Sequence, residues 1–145
     1  MNAHDDTGQR LLQPAAWPRP RGYANGIIAA GETIFLAGQV GWDAQGRFAA
    51  DLPGQVGQAL SNIVTLLVEA GAEPRHLVRL TWFITSLASY RDQQAAIGRE
   101  YQRVIGKHFP AMSVIGVSQL VEPAALVEIE ATAVLPPWQS PPARS

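Results

Sequence analysis

The sequence predicts an α+β domain, a mixed β-sheet with two helices on one face. Three observations predict it. Two segments repeat their apolar residues in steps of three and four, the period of a helix with one buried side. Several short runs are rich in β-branched and aromatic residues, the composition of strands. Each helical segment lies between strands, which permits right-handed parallel crossovers within a mixed sheet.

The elements follow in order. Gly26 to Ala30 and Thr33 to Ala37 flank Gly31-Glu32, which reads as a two-residue hairpin turn of the type II′ kind. The first helix spans 52–70, with Val56, Ala59, Leu60, Ile63, Leu66, Leu67 and Ala70 on its apolar side. Asp51 is placed to cap it, Pro53 is tolerated in the first turn, and Gly71 can end it. Val78 to Thr85 alternates, with Val78, Leu80, Trp82 and Ile84 on one face and Arg79, Thr81, Phe83 and Thr85 on the other. The second helix is expected over 90–105, with Ser89 as its cap and Tyr90, Ile97, Tyr101, Val104 and Ile105 as its stripe. Gln93 and Gln94 fall where that stripe should continue, so an amide is expected to face inward. Met112 to Val117 and Leu126 to Leu135 complete the strands. In the last, Val127, Ile129, Ala131 and Ala133 share one face, and Glu128 and Glu130 the opposite one. That second sheet face is mixed in character. A wet surface and a subunit interface would both explain it.

The 145 residues fit one domain. Prolines cluster at the ends, at 14, 18 and 20 and again at 136, 137, 141 and 142. The reading is a flexible arm over 1–16, a domain over 17–137 and a flexible tail over 138–145, with 1–13 and 139–145 largely disordered. Trp17 is a candidate to dock the arm. There is no cysteine, which excludes disulfides and thiolate chemistry. The net charge of -1 is the wrong balance for a protein of phosphate backbones, so no nucleic-acid partner is expected. No apolar run is long enough to span a bilayer, so no membrane partner is expected. A cytoplasmic location is the default expectation.

Unaided, the residues offer little chemistry. His4, His76 and His108 lack ligand spacing and read as surface or terminal histidines, so no metal is expected. Glu128 and Glu130 lie about 7 Å apart along one strand face. They read either as a pair whose mutual repulsion raises a pKa in a dry site, or as two ordinary glutamates on a solvated face, with Arg79 beside them to neutralise one. Trp42 follows a glycine-rich loop and is a candidate to line a pocket, while Trp82 reads as core.

Five blocks in order carry a resemblance: Tyr23-Ala24-Asn25-Gly26, Leu36-Ala37-Gly38-Gln39-Val40, Gln58-Ala59-Leu60-Ser61-Asn62-Ile63, His108-Phe109-Pro110-Ala111-Met112-Ser113 and Val127-Glu128-Ile129-Glu130-Ala131. Over about residues 20–135 the chain resembles the Rid family, the reactive intermediate deaminases, also called the YjgF family. The resemblance implies a chorismate-mutase-like fold and a homotrimer, with sheets packed inside and a small-molecule cleft at each subunit interface. It implies hydrolysis of 2-imino acids to 2-keto acids and ammonia, with no cofactor and no metal. It gives Glu128 the orienting of the hydrolytic water, and Glu130 a structural part. It places Tyr23, the Gly38-Gln39 loop, Gln94, and backbone near Ser113 in the cleft.

Departures from these blocks matter. The family's F-P-A-R-S block uses its arginine to fork onto the substrate carboxylate, and that position here is Met112. The position two further on, often cysteine there, is Val114, and the proline before the cleft tyrosine is Gly22. Methionine carries no donor. The expectation is therefore an imine or enamine deaminase with altered substrate preference, the alternative being a non-catalytic metabolite-binding trimer. Arg19 or Arg21 reaching the cleft mouth would be a rescue. An endoribonuclease activity, sometimes attached to this family, is opposed by the charge balance. Sedimentation at micromolar concentration is expected to return three times the 15.6 kDa chain mass; a single-chain mass would remove the shared cleft.

Overall fold

The sheet is built around its last strand. In a computed structural model, which describes residues 6–137, that strand (β6, Val127–Leu135) lies between β3 (Glu32–Val40) and β4 (Leu77–Ile84) and is antiparallel to both. The strand β5 (Ala111–Gly116) adds to the far side of β4 in parallel, giving the order β3-β6-β4-β5. The helix α1 (Leu52–Glu69) joins β3 to β4, and α2 (Leu87–Asp92) with α3 (Gln94–Val104) joins β4 to β5. The mixed sheet and its one-sided helices are as the sequence predicts.

The core lies between that helical layer and the sheet. Val56, Ala59, Leu60, Ile63 and Leu67 of α1 meet Leu80, Trp82 and Ile84 of β4 and Val127, Ile129, Ala131 and Ala133 of β6. These are the faces the two periodicities select, except that Leu66 and Ala70, expected on the apolar side of the first helix, are exposed. Asp51 caps α1 by accepting from the Gly54 amide at 2.9 Å. Gly71 leaves the helix at φ +75°, where a side chain would be strained.

Four local expectations are corrected. Gly31-Glu32 makes no hairpin: β2 is only Ile27–Ile28, and it pairs with β1 (Arg10–Leu11) instead of β3. Gly31 serves a close approach, since a Cβ there would lie 2.2 Å from the Leu135 carbonyl oxygen. The second helix is two helices. Gln93, at φ -114° and ψ 20°, ends α2 and starts α3, and Ser86, in place of Ser89, caps α2. At the start of β4 a register shift between Leu77 and Arg79 puts Leu77, not Val78, in the core. His76 is buried, not at the surface; its Nδ1 accepts from the Glu73 amide at 2.9 Å within the one-turn 3-10 helix Pro74–His76.

The arm is also more ordered than expected. Besides the β1–β2 pairing, the Leu12 amide donates to the Gly26 carbonyl at 2.9 Å. The Gln13 side chain donates to the Trp17 carbonyl and accepts from Asn25. Backbone pairing, not the indole, holds the arm, for Trp17 is 56% exposed. Residues 1–5 of the arm, and the tail 138–145, lie outside the described residues.

Gln55 fastens the segment after β3 and the segment before β6 to α1. It is buried, its Nε2 donates to the Ala49 and Ala124 carbonyls at 3.1 and 3.0 Å, and its Oε1 accepts from the Leu126 amide at 2.8 Å. Gly41 closes on it so tightly that a Cβ would stand 2.4 Å from the Gln55 Cβ. Gln55→Ala is expected to lower unfolding free energy by about 2 kcal/mol, the cost of leaving such groups unpaired. Urea denaturation measures it, and an unchanged midpoint would show the clamp to be dispensable.

Candidate functional site

Strand alternation sorts the expected site residues into two groups. Met112 and Val114 pair with Leu80 and Trp82, which face the helices. Ser113 pairs with Thr81 and faces the other way, as do Glu128, opposite Phe83, and Glu130, opposite Thr81. A strand reverses its side chains at every residue, so no local adjustment brings Ser113 or Glu128 onto the Met112 face.

The first group forms a cavity of about 570 Å³ between α2, α3 and β5. Tyr23, Gln94, Met112 and Val114 all line it, together with Trp82, Tyr90, Tyr101 and Phe109. Tyr23 is brought there by the chain beside it. The Ala24 amide donates to the Pro110 carbonyl at 3.0 Å, and Ala24 bridges to Ala111, next to Met112. Gln94 stands at the start of α3, so the break at Gln93 sets the amide into the cavity wall. The wall itself is a row of rings. Trp82 and Tyr101 lie 6.4 Å apart between centroids, Tyr101 and Phe109 5.5 Å apart and nearly parallel, and Tyr90 meets Trp82 edge-on at 6.5 Å.

The chemistry of this cavity is mostly apolar. Burial raises the Tyr90 and Tyr101 hydroxyl pKa values, so both remain neutral at ordinary pH. The Tyr101 hydroxyl donates to the His108 carbonyl at 2.5 Å. His108 is itself held by its Nε2 donating to the Leu77 carbonyl at 2.8 Å, so that nitrogen carries a proton. Trp82 is buried and its Nε1 has no hydrogen-bond partner among the described residues. Tyr23 and Phe109 also line a second cavity of about 490 Å³, with Arg19 and Lys107.

The second group lies on the sheet's outer face. A register shift between Leu36 and Gln39 bulges β3, and Gly38 sits in that bulge against the Glu128 side chain. A Cβ on Gly38 would lie 2.6 Å from the Glu128 Cδ, so glycine is what lets the carboxylate rest there. Gln39 turns its amide back on the Ala37 carbonyl at 3.0 Å. No ion pair joins Arg79 to Glu128 or Glu130 among the described residues. The face around them carries Phe35, 79% exposed, and Ile115, 44% exposed.

Some wall residues are not candidates in the sequence. Trp82, Tyr90 and Tyr101 read there as core, and Phe109 has no assigned role. Their stripe is legible as helical and strand periodicity, but periodicity does not distinguish a filled core from a cavity wall. Trp42 meets Phe48 at a tilt of 51°, 5.6 Å between centroids, and lines neither of these two cavities.

Comparison with known proteins follows this geometry. Residues 15–135 match the family described as Endoribonuclease L-PSP. A RutC family protein of Synechocystis is 32% identical over 88% of this chain and 97% of its own length. A putative reactive intermediate deaminase, TdcF of Escherichia coli K12, is 31% identical over 77% of this chain and 85% of its own. Among solved structures, the Rid-family protein of unknown function YyfB from Yersinia pestis superposes with a TM-score of 0.76 at 35% identity, covering 88% of this chain and 99% of its own. E. coli TdcF with bound serine superposes with a TM-score of 0.63 at 28% identity, covering 86% and 98%.

Tyr101→Phe tests the wall. It removes one hydrogen bond, so a loss of about 1 kcal/mol is expected at neutral pH. The folded-state pKa of Tyr101 is raised, so its contribution is present below the unfolded tyrosine value of about 10 and is lost as pH rises through the folded value. Unfolding free energy measured from pH 8 to 12 should therefore fall less steeply in the variant; equal slopes would contradict the burial.

Proposed function

The chain belongs to the Rid (YjgF) family and has its chorismate-mutase-like α+β fold, and from that premise we propose that it is an imine or enamine hydrolase with an altered substrate preference. The convergence of Tyr23, Gln94, Met112 and Val114 on one cavity supports this reading most. These residues come from the arm, α3 and β5, yet a resemblance of sequence blocks selects them together.

The opposite orientation of Glu128 supports a trimer. A cleft that holds both the Met112 wall and the Glu128 carboxylate needs two copies of the chain, the outer face of one against the cavity of the next. The exposed Phe35 and Ile115 give that outer face apolar surface to bury.

In such a cleft Glu128 takes a proton from water as the oxygen bonds to the imine carbon. That proton passes to the nitrogen to give a carbinolamine, and the carbinolamine hydroxyl proton then moves to nitrogen as the carbon–nitrogen bond breaks, leaving a carbonyl product and ammonia. Tyr23 donates to the polar groups on the reacting carbon, and backbone amides near Gly38 hold the developing charge. Gly38 keeps the carboxylate in its bulge. Met112 supplies apolar surface where the resemblance expects a guanidinium. Losing one partner of a desolvated charge pair costs about 2–5 kcal/mol, so small 2-imino acids held by that one contact bind poorly here.

The reading is tested by ammonia release from freshly generated 2-iminopropanoate and from a panel of bulkier imines. Glu128→Gln is expected to reduce turnover about 100-fold or more with ligand affinity kept. Met112→Arg is expected to gain activity on 2-iminopropanoate over the natural chain. No turnover on any imine, with ligands still raising the melting temperature, would instead assign the chain as a non-catalytic metabolite-binding trimer.

A further inference from the structure

The cavity has a cation, carried not on β5 but on the segment just before Tyr23. Arg21 lines it, the one Lys, Arg or His to do so among the described residues. It is exposed, and no hydrogen bond or ion pair engages it among the described residues. Its place depends on Gly22, whose φ of +77° turns the chain so that Arg21 and Tyr23 both line the cavity. Proline, which holds φ near -65°, cannot make that turn. Two of the departures from the family blocks, Gly22 and Met112, thus have one shared consequence. The guanidinium is absent from β5 and present on the arm.

The α3 wall makes room for bulk. Gly98 lies inside α3 and lines the cavity, and a Cβ there would meet nothing within 4 Å. Glycine inside a helix is disfavoured relative to alanine. Here its missing side chain leaves open space beside Tyr101 and Phe109, whose stacked rings suit a flat apolar group.

We propose that Arg21 is the carboxylate anchor of this cavity, and that the ligands it selects are 2-imino acids with a large aromatic side chain, packed beside Gly98 against the Tyr101–Phe109 rings. The proposal rests on the hydrolase reading for the word imino, but its binding half stands without turnover. A small 2-imino acid offers Arg21 its carboxylate but leaves the ring wall unfilled; an arylmethyl one supplies both a carboxylate and a flat apolar group.

Calorimetric titration with phenylpyruvate, the stable keto-acid counterpart of such an imine, tests it against phenylpyruvate methyl ester and pyruvate. Phenylpyruvate is expected to bind more tightly than either. Arg21→Gln is expected to weaken phenylpyruvate about three- to tenfold, the range of a partly exposed ion pair, with the loss falling on the acid and not on the ester. Arg21→Lys should recover part of that loss, since the charge remains and the fork does not. Gly98→Leu should weaken phenylpyruvate and spare pyruvate. Equal losses for acid and ester in Arg21→Gln, or no loss, would overturn the anchor; a Gly98→Leu protein that binds phenylpyruvate undiminished would overturn the aromatic preference. Arg21-dependent binding without hydrolysis of any imine upholds the anchor and removes the hydrolase reading. Hydrolysis of aryl imino acids indifferent to Arg21→Gln removes the anchor and leaves that reading intact.

Discussion

The pleat of β6 is the constraint on which the rest depends. Its odd-numbered residues from Val127 to Ala133 are small or branched aliphatics, all buried on the side that α1 covers, and its even-numbered Glu128 and Glu130 take the other face. A carboxylate facing the core would need a partner that the aliphatic helix stripe does not offer. The register is therefore strongly specified, because a slip of one residue would exchange the two faces. Neighbouring strands inherit the choice through pairing, so Ser113 joins Glu128 while Met112 and Val114 join the core side.

That inheritance explains why the candidate site is in two parts. The cavity is made where the helical layer stops covering the sheet, at the edge strand β5. The break at Gln93 divides α2 from α3 there, and three rings form a wall that is buried on one side and open on the other. The carboxylate sits in a glycine bulge on the far side of the sheet. The arm completes the cavity, through the Ala24–Ala111 bridge and the turn at Gly22. It is held by backbone hydrogen bonds more than by buried apolar surface, a pattern that places a segment at the low-stability end of a fold.

The site was legible to an uneven degree. Tyr23, Gln94, Met112 and Val114 were found by resemblance, block by block, and the cavity collects all four. Ser113 shares a family block with Met112, its backbone being what the resemblance places in the cleft, and the pleat turns its side chain to the other face. The aromatic wall was visible as periodicity and read as core. Arg21 stood in a proline-rich segment, weighed with Arg19 only as a rescue at the cleft mouth, and its position depends on the Ala24–Ala111 bridge to β5 that composition does not encode.

By itself the sequence determined what local chemistry determines. Asp51 and Gly71 bound α1, the three-four steps choose its buried side, and alternation chooses the faces of β4 and β6, because each effect acts over a few residues. It also determined the family, since several ordered blocks together are specific. Only the tertiary structure decided the partners of long-range contacts. Gly31-Glu32 looked like a hairpin turn, yet β2 found β1, and Gly31 was needed for the approach to Leu135. Gln55 became a clamp, His76 a buried acceptor and Arg21 a cavity residue through neighbours distant in the chain or folded back upon it. The physical reason is the same in each case. A propensity is a property of a residue and its near neighbours, whereas a pairing, a cavity or a clamp is a property of two segments whose meeting depends on the whole fold.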